Sequence, residues 1–123
     1  MIHLDTNFLI RALVPTSAEE AKLQAWLKDG EDLGISCVAW SEFLCGPLTS
    51  RDEEYARLLL TALEPFRESD AHKAAELFNA TGRRSRSLAD CQIAAVALRG
   101  EARLATDNIT DFTLFQSLGL TLA

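Results

Sequence analysis

The stretch MIHLDTNFLI (residues 1–10) begins with a short apolar run that Asp5 interrupts before apolar residues resume. The first run predicts a buried strand over residues 2–4, and the following pattern predicts a short helix over residues 7–13 that ends before Pro15. A carboxylate where a buried strand ends costs free energy unless it has a partner or a task. Asp5 therefore poses the first question about function.

Composition limits the class of protein. The chain has 123 residues, 48% of them hydrophobic and 24% charged, which predicts a single domain over residues 1–123. The net charge of −6 argues against a strongly basic nucleic-acid binder. No apolar run approaches the roughly 20 residues that cross a membrane, and no signal peptide is evident, so we expect a cytoplasmic protein. The three cysteines lack metal-ligand spacing, and we expect them to be buried as small apolar residues.

Short apolar runs alternate with helical patterns along the chain. Strands are predicted at residues 2–4, 33–36, 102–106 and 120–123, with a short one beginning at Phe66. Helices are predicted over residues 7–13, 17–27, 38–45, 51–63, 69–80, 88–99 and 108–112. This alternation favours βα units, and hence an α/β fold in which helices cover both faces of a mainly parallel sheet.

Acidic residues recur where this topology brings chain segments together. Asp5 ends the first strand, Glu42 lies in the helix after the second, Asp90 lies in the first turn of helix 88–99, and Asp107 and Asp111 follow the strand at residues 102–106. Each belongs to a segment that begins or ends at the carboxyl edge of the sheet, where ligands bind in open parallel sheets.

Carboxylates gathered at one edge repel one another and need a cation or shared protons. Because histidine and cysteine are absent from this set, the oxygen ligands favour Mg²⁺ or Mn²⁺ over zinc. Taken alone, Asp90 and Asp111 also fit helix capping patterns that begin at Ser87 and Asn108. The joint pattern favours a metal site. We expect His3, near the chain end, to face solvent.

Four segments in order resemble one known family. LDTN (4–7), ISCVAWSEFLCG (35–46), GRRSRSLADCQIAAVAL (82–98) and LATDNITDF (104–112) are similar to the four motifs of the PIN-domain ribonucleases, particularly the VapC-like toxins of toxin–antitoxin pairs. The resemblance covers nearly the whole chain. It implies the PIN fold, a three-layer α/β/α sandwich that agrees with the pattern of predicted elements.

The resemblance also implies roles for individual residues. The metal-binding, catalytic acids would be Asp5, Glu42, Asp90 and Asp111. Polar residues that support them would be Thr6, Asn7, Thr106 and Asn108. Asp107 falls at a variable position of the family, which leaves open whether it or Asp111 is the closer ligand. The implied activity is Mg²⁺- or Mn²⁺-dependent cleavage of RNA by a homodimer that a cognate antitoxin protein holds inactive.

The sequence also offers candidate RNA-binding arginines, and other classes of protein can be weighed against the ribonuclease. Arg83, Arg84 and Arg86 form the densest basic cluster and are candidates for contact with the RNA backbone. The alternative function is a non-catalytic PIN-fold module that binds RNA or protein. A receiver domain is disfavoured because no lysine follows Lys73, and a phosphatase with an Asp-x-Asp sequence is disfavoured because Asn7 replaces the second aspartate.

Overall fold

A four-stranded sheet organises the computed structural model, which describes residues 1–83 and 88–123. The strands lie side by side in the order β3-β2-β1-β4, where the strands are β1 (Ile2–Leu4), β2 (Leu33–Ser36), β3 (Ala62–Glu64) and β4 (Arg103–Ala105). Each neighbouring pair runs parallel. The predicted α/β class with a mainly parallel sheet is confirmed.

Helices connect the strands and cover the sheet. Those in the described residues are α1 (Thr6–Ala12), α2 (Ala18–Lys28), α3 (Cys37–Leu44), α4 (Ser50–Leu59), α5 (Glu68–Ala80), α6 (Leu88–Arg99) and α7 (Ile109–Thr113). A 3₁₀ turn, Gln116–Leu118, follows α7. Across residues 1–83 and 88–123, no helix combines the length and the apolar character needed to cross a bilayer.

Two helices begin where their strands end, which determines the architecture of the carboxyl edge. Asp5 follows β1 directly and is the N-cap of α1, and Ser36, the last residue of β2, is the N-cap of α3. Both caps have an extended backbone, and their side chains accept hydrogen bonds from the first turn of the helix, as N-caps do. Because β1 and β2 are parallel neighbours, the N-termini of α1 and α3 lie side by side.

The region between α4 and α5 corrects the expected elements. The predicted helix over residues 51–63 ends at Leu59, and the strand expected at Phe66 lies earlier, as β3. Leu60 adopts an extended backbone, and Thr61 donates its backbone N–H (2.8 Å) and its hydroxyl (2.9 Å) to the Leu33 carbonyl. These bonds align the chain beside β2. Pro65 then keeps the residue before it extended, which suits a strand and not a helix.

The last predicted strand is almost absent. Leu122 forms one isolated parallel bridge with Leu104 of β4, and no ladder extends from it within the described residues. The apolar residues of the C-terminus serve packing instead, since Leu120 is buried in the core. The expectation of a strand over residues 120–123 was therefore wrong in extent.

His3 is buried, and not exposed as expected. The imidazole is 2% exposed and lies on the opposite face of β1 from the apolar Ile2 and Leu4, which fill the core. Gly34 pairs with it across β2 and makes room for it, because a Cβ on that glycine would lie 3.1 Å from the imidazole Cδ2. Sequence alone gives no register, so this space could not be foreseen.

The cysteines were also only partly foreseen. Cys91 is buried in α6, as expected. Cys37, the first residue of α3, and Cys45, its C-cap, are exposed, so the prediction of burial was wrong for both. They lie at the two ends of a short helix. The described cysteines form no disulfide.

Candidate active site

Asp5 is a buried carboxylate supplied with hydrogen-bond donors. It is 5% exposed, and its Oδ1 accepts the backbone N–H of Thr6 at 2.9 Å while its Oδ2 accepts the Thr106 hydroxyl at 2.8 Å. Burial raises the pKa of Asp5, the two donors lower it in part, and the negative charges of Glu42 and Asp107 raise it again. The end of β1 therefore holds an acid that is orientated by hydrogen bonds and that forms no ion pair with a cation of residues 1–83 or 88–123.

Glu42 reaches the same edge from α3. Its Oε1 accepts the Thr6 hydroxyl at 2.9 Å, so Thr6 links the first two acids: its N–H bonds Asp5 and its hydroxyl bonds Glu42. The side chain of Glu42 is exposed, and not turned into the sandwich as the apolar pattern of α3 suggested. Of these two acids, Glu42 is therefore the one exposed to solvent, and Asp5 is the buried one.

Asp90 shows that the acids converge. It lies in the first turn of α6, and its pKa rises to about 7 because of burial first, and then because of the charges of Asp5, Asp111 and Glu42. Those three acids come from three other segments of the chain. Each of the three therefore lies close enough to Asp90 for its charge to act on that carboxyl group.

Asp111 and Asp107 have different neighbours. Asp111, which is exposed on α7, accepts a 2.7 Å hydrogen bond from the Asn108 side-chain amide, and its charge raises the pKa of Asp90. Asn108 is itself positioned by its backbone N–H, which donates to the Thr106 hydroxyl at 3.0 Å. Asp107 acts on Asp5 but not on Asp90, and its Oδ2 lies 3.7 Å from the Arg11 Nε.

Two other predicted site residues are not drawn into the cluster. Asn7 is exposed on the first turn of α1, and its side chain makes no hydrogen bond within the described residues. Arg83 is exposed after α5 and holds a left-handed backbone, with its N–H bonded to the Phe78 carbonyl at 2.9 Å. Arg84 and Arg86 lie outside the described residues, as does Ser87.

The donor set fits a hard divalent cation in chemistry but does not form a finished cage. Within the described parts of the chain, no group of three or more acidic, histidine or cysteine side chains stands in a metal-holding arrangement. Nor does any salt bridge there reach Asp5, Glu42, Asp90 or Asp111. Uncompensated oxygen ligands that repel one another are the set that Mg²⁺ or Mn²⁺ would draw together.

Sequence reasoning missed two neighbours of the cluster, Arg11 and Glu19. The Arg11 guanidinium at the end of α1 lies between Asp107 (3.7 Å) and Glu19 of α2 (4.0 Å). Burial and the nearby charge of Glu19 raise the pKa of Asp107, and the positive charges of Arg11 and Lys22 lower it. The position of Arg11, on the helix that Asp5 begins, was the signal available in the sequence.

An α/β domain with a parallel sheet and acids gathered at its carboxyl edge is the arrangement of a PIN domain, and the PIN-domain family model matches residues 2–112. The chain belongs to the PIN-domain family. Ribonuclease VapC10 from two strains of Mycobacterium tuberculosis is 34% identical to it over 122 aligned residues, in an alignment that covers 96% of this chain and 90% of the relative. That similarity places the chain beside VapC-like members of the family.

Solved structures share the fold at lower identity. FitAcB from Neisseria gonorrhoeae superposes with a TM-score of 0.72 and 24% identity, covering 99% of this chain and 96% of its own. A toxin–antitoxin complex from Klebsiella pneumoniae gives 0.73 and 24%, covering 91% and 90%. VapBC2 from Rickettsia felis, bound to a promoter DNA fragment, gives 0.72 and 21%, covering 100% and 98%.

Proposed function

We propose that this protein is a Mg²⁺- or Mn²⁺-dependent endoribonuclease and the toxin of a toxin–antitoxin pair. The observation that carries the proposal is Asp90, a carboxyl group whose pKa is raised to about 7 by burial and by three further acids, with no described cation beside it. A fold gains no stability from such repulsion, so the cluster is explained by a ligand of opposite charge. Kinship with a VapC ribonuclease supports RNA as the substrate.

Each acid of the cluster has a definite task in this proposal. The ion would be held by Asp5, Glu42, Asp90 and Asp111, and when bound it supplies Lewis acidity toward water and the phosphate group. Thr106 and the Thr6 N–H keep Asp5 orientated, and the Thr6 hydroxyl does the same for Glu42. Asn108 holds Asp111. Fixed ligands of this kind reduce the reorganisation that binding requires.

Cleavage of a labelled single-stranded RNA tests this function. With Mg²⁺ or Mn²⁺ present, we expect Asp5→Asn and Asp90→Asn each to reduce kcat/KM by about a thousandfold, a loss of roughly 4 kcal/mol of transition-state stabilisation. Asp32→Asn is the matched control, because Asp32 is exposed beside the amino end of β2, at the opposite edge of the sheet. Undiminished cleavage by the site variants, or by wild type in a chelator, would contradict the proposal.

Calorimetry separates the enzyme from the alternative, a non-catalytic binding module. We expect Mg²⁺ or Mn²⁺ to bind the wild-type protein and to bind Asp90→Asn much more weakly, since one of four oxygen ligands loses its charge. A folded protein that takes up neither ion, yet binds RNA or a protein partner, would favour the module.

The proposed partners are an antitoxin protein and a second copy of the chain. A groove of about 260 Å³ lies between α1, α3 and the segment before α4, and its apolar lining includes Ile10, Val14 and Phe43. Leu58 on α4 is 85% exposed, which leaves apolar surface for a further contact. Co-purification with the short protein encoded by a neighbouring reading frame, and light scattering for the dimer, test these partners. A protein that stays monomeric at all concentrations would exclude the homodimer.

A further inference from the structure

Arg11 is linked to the acidic cluster through an ion pair with Asp107. It lies in the last turn of α1, the helix capped by Asp5, and its guanidinium lies 3.7 Å from Asp107 Oδ2. Asp107 in turn follows Thr106, whose hydroxyl bonds Asp5, and the charge of Asp107 raises the pKa of Asp5. Arg11 is therefore connected to the buried Asp5 through two consecutive residues, Asp107 and Thr106.

The guanidinium of Arg11 forms two long ion pairs. Its two ion pairs, with Asp107 at 3.7 Å and with Glu19 at 4.0 Å, are both longer than hydrogen bonds. The side chain is 63% exposed and donates no hydrogen bond within residues 1–83 and 88–123. Asp107 Oδ2 is buried and likewise lacks a hydrogen-bond partner in those residues. Two carboxylates thus lie near an exposed guanidinium whose N–H donors remain available to a ligand.

We propose that Arg11 binds a phosphate of the RNA beside the scissile bond, and that Glu19 and Asp107 are the positioning residues that hold it there. The inference rests on the proposed ribonuclease function. An RNA strand approaching a protein of net charge −6, at a pocket of four acids, needs cations at that pocket. Arginine suits this task, because its fork of N–H groups matches two phosphate oxygens.

This assignment also gives Asp107 a role distinct from that of Asp111. Asp111 contributes to the repulsion felt by Asp90, whereas Asp107 lies close to Arg11 and Glu19, whose charges act on it. Lys22 of α2 is exposed and its charge also acts on Asp107, so it extends the basic edge formed by Arg11. The RNA would then lie across the site from the acids of α3 and α6 toward the α1–α2 edge.

The test is binding of a short fluorescein-labelled single-stranded RNA, measured by anisotropy with Mg²⁺ in an Asp90→Asn background so that the probe stays intact. We expect Arg11→Gln to raise Kd about tenfold, and to reduce the slope of log K against log salt by about 0.7, the value for one lost contact with a single strand. Arg11→Lys keeps the charge and should restore the slope but only part of the affinity.

Arg103→Gln is the matched control. Arg103 begins β4 at the opposite edge of the sheet and is paired with Glu31 at 2.6 Å, so it loses the same charge without facing the site. Its Kd and salt slope should equal those of the background protein. If Arg11 had a merely structural role, such as stabilising the C-terminus of α1, Arg11→Gln would lower the melting temperature and leave the salt slope unchanged.

The positioning role is tested by a double-mutant cycle. Glu19→Gln should weaken RNA binding when Arg11 is present and have no further effect on the Kd of Arg11→Gln. Additive effects would overturn the positioning role. An unchanged Kd and slope for Arg11→Gln would overturn the phosphate contact while leaving the nuclease proposal intact. Binding that depends on Arg11 without any cleavage by wild type would overturn the nuclease proposal and the placement of Arg11 beside a scissile bond, and would leave only its phosphate contact. Wild type that binds no RNA would overturn that contact as well.

Discussion

Asp70 and Asp90 both lie in the first turn of a long helix, α5 and α6, yet their surroundings differ. Asp70 is 1% exposed, and its two oxygens accept the Arg99 Nε–H at 3.0 and 3.1 Å and the Arg67 backbone N–H at 2.9 Å. Asp90 makes no salt bridge within the described residues and faces three acids. The same residue type at the same helical position is neutralised in one place and left repelled in the other.

This difference separates stability from function. Arg99 also donates to the Pro65 carbonyl at 2.7 Å and lies 3.8 Å from Glu64, so the Asp70 pair joins α5, α6 and the end of β3. Such a network is what a buried carboxylate requires when it serves the fold. Within the described residues Asp70 has such a partner and Asp90 has none, which supports the proposal that Asp90 binds a cation from outside the chain.

The largest effect on stability that we expect comes from breaking the neutralised pair of Asp70 and Arg99. Arg99→Leu leaves Asp70 buried without its cation and should lower the free energy of unfolding by about 3 kcal/mol. Lys73→Gln in α5, the helix that contains Asp70, is the control. The ion pair of Lys73 with Glu76 (3.1 Å) is exposed and should contribute less than about 1 kcal/mol. Urea unfolding measures both. Equal losses for the two variants would mean that burial does not distinguish these pairs.

The next effect is on the other side of the comparison, at the donors of the acidic cluster. Thr106→Val removes the hydroxyl that donates to Asp5 at 2.8 Å and accepts from the Asn108 N–H. We expect Mg²⁺ affinity to fall about 10- to 100-fold, as it does when an outer hydrogen bond to a metal ligand is lost. Thr113→Val removes a hydroxyl that, among the described residues, bonds just the Ile109 carbonyl, and it should leave the affinity unchanged. Calorimetric titration distinguishes them.

A third effect concerns Asp90 without metal. Its folded-state pKa of about 7 exceeds the unfolded value of 3.8, so its contribution to stability is lost as pH rises through that interval. At about pH 8 in a chelator, Asp90→Asn should therefore be more stable than wild type, by about 1 kcal/mol after allowance for solvent screening. The gap should close as pH falls toward 4, where wild-type Asp90 is protonated. A destabilised variant at pH 8 would show that Asp90 supports the fold.

Much of the site could be predicted from the sequence, because topology alone determines it. Once the strands at residues 2–4 and 33–36 are taken as parallel, their carboxyl ends must share an edge, and Asp5 and Glu42 arrive there without knowledge of any side-chain contact. The first turn of α6 carries Asp90 to the same edge. These placements depend on element order and not on atomic detail.

The features that could not be predicted depend on register and on pairs distant in sequence. Three-residue β3 has the apolar spacing of the helix before it, and its parallel pairing with β2, together with the Thr61 bonds to the Leu33 carbonyl, shows that it is a strand. Arg11 and Asp107 meet only because β4 lies beside β1. The burial of His3 likewise requires knowing that Gly34 is its partner across the sheet.

His3 gives the smallest expected effect and carries the comparison to histidine. Burial lowers the pKa of its imidazole, with Arg99 and the N-terminal amine acting in the same direction and Glu64 against them. Its Nδ1 has no hydrogen-bond partner in the described residues. Because the folded-state pKa lies below the unfolded value of 6.5, the unfolded chain binds more protons as pH falls, and stability is lost below about pH 6.5.

The variant His3→Gln should remove that loss, since it cannot take up a proton. Unfolding free energies measured at about pH 7.5 and 5.5 should fall more for wild type than for the variant, and the contribution of Asp90 cancels because both proteins contain it. A second comparison in the Arg99→Leu background should show a smaller loss, because one of the positive charges that disfavours protonated His3 is gone. If wild type and His3→Gln lost stability equally, folding would not lower the pKa of His3. The protonated imidazole would then have to be stabilised by a partner in the folded protein, as the Asp70 carboxylate is by Arg99.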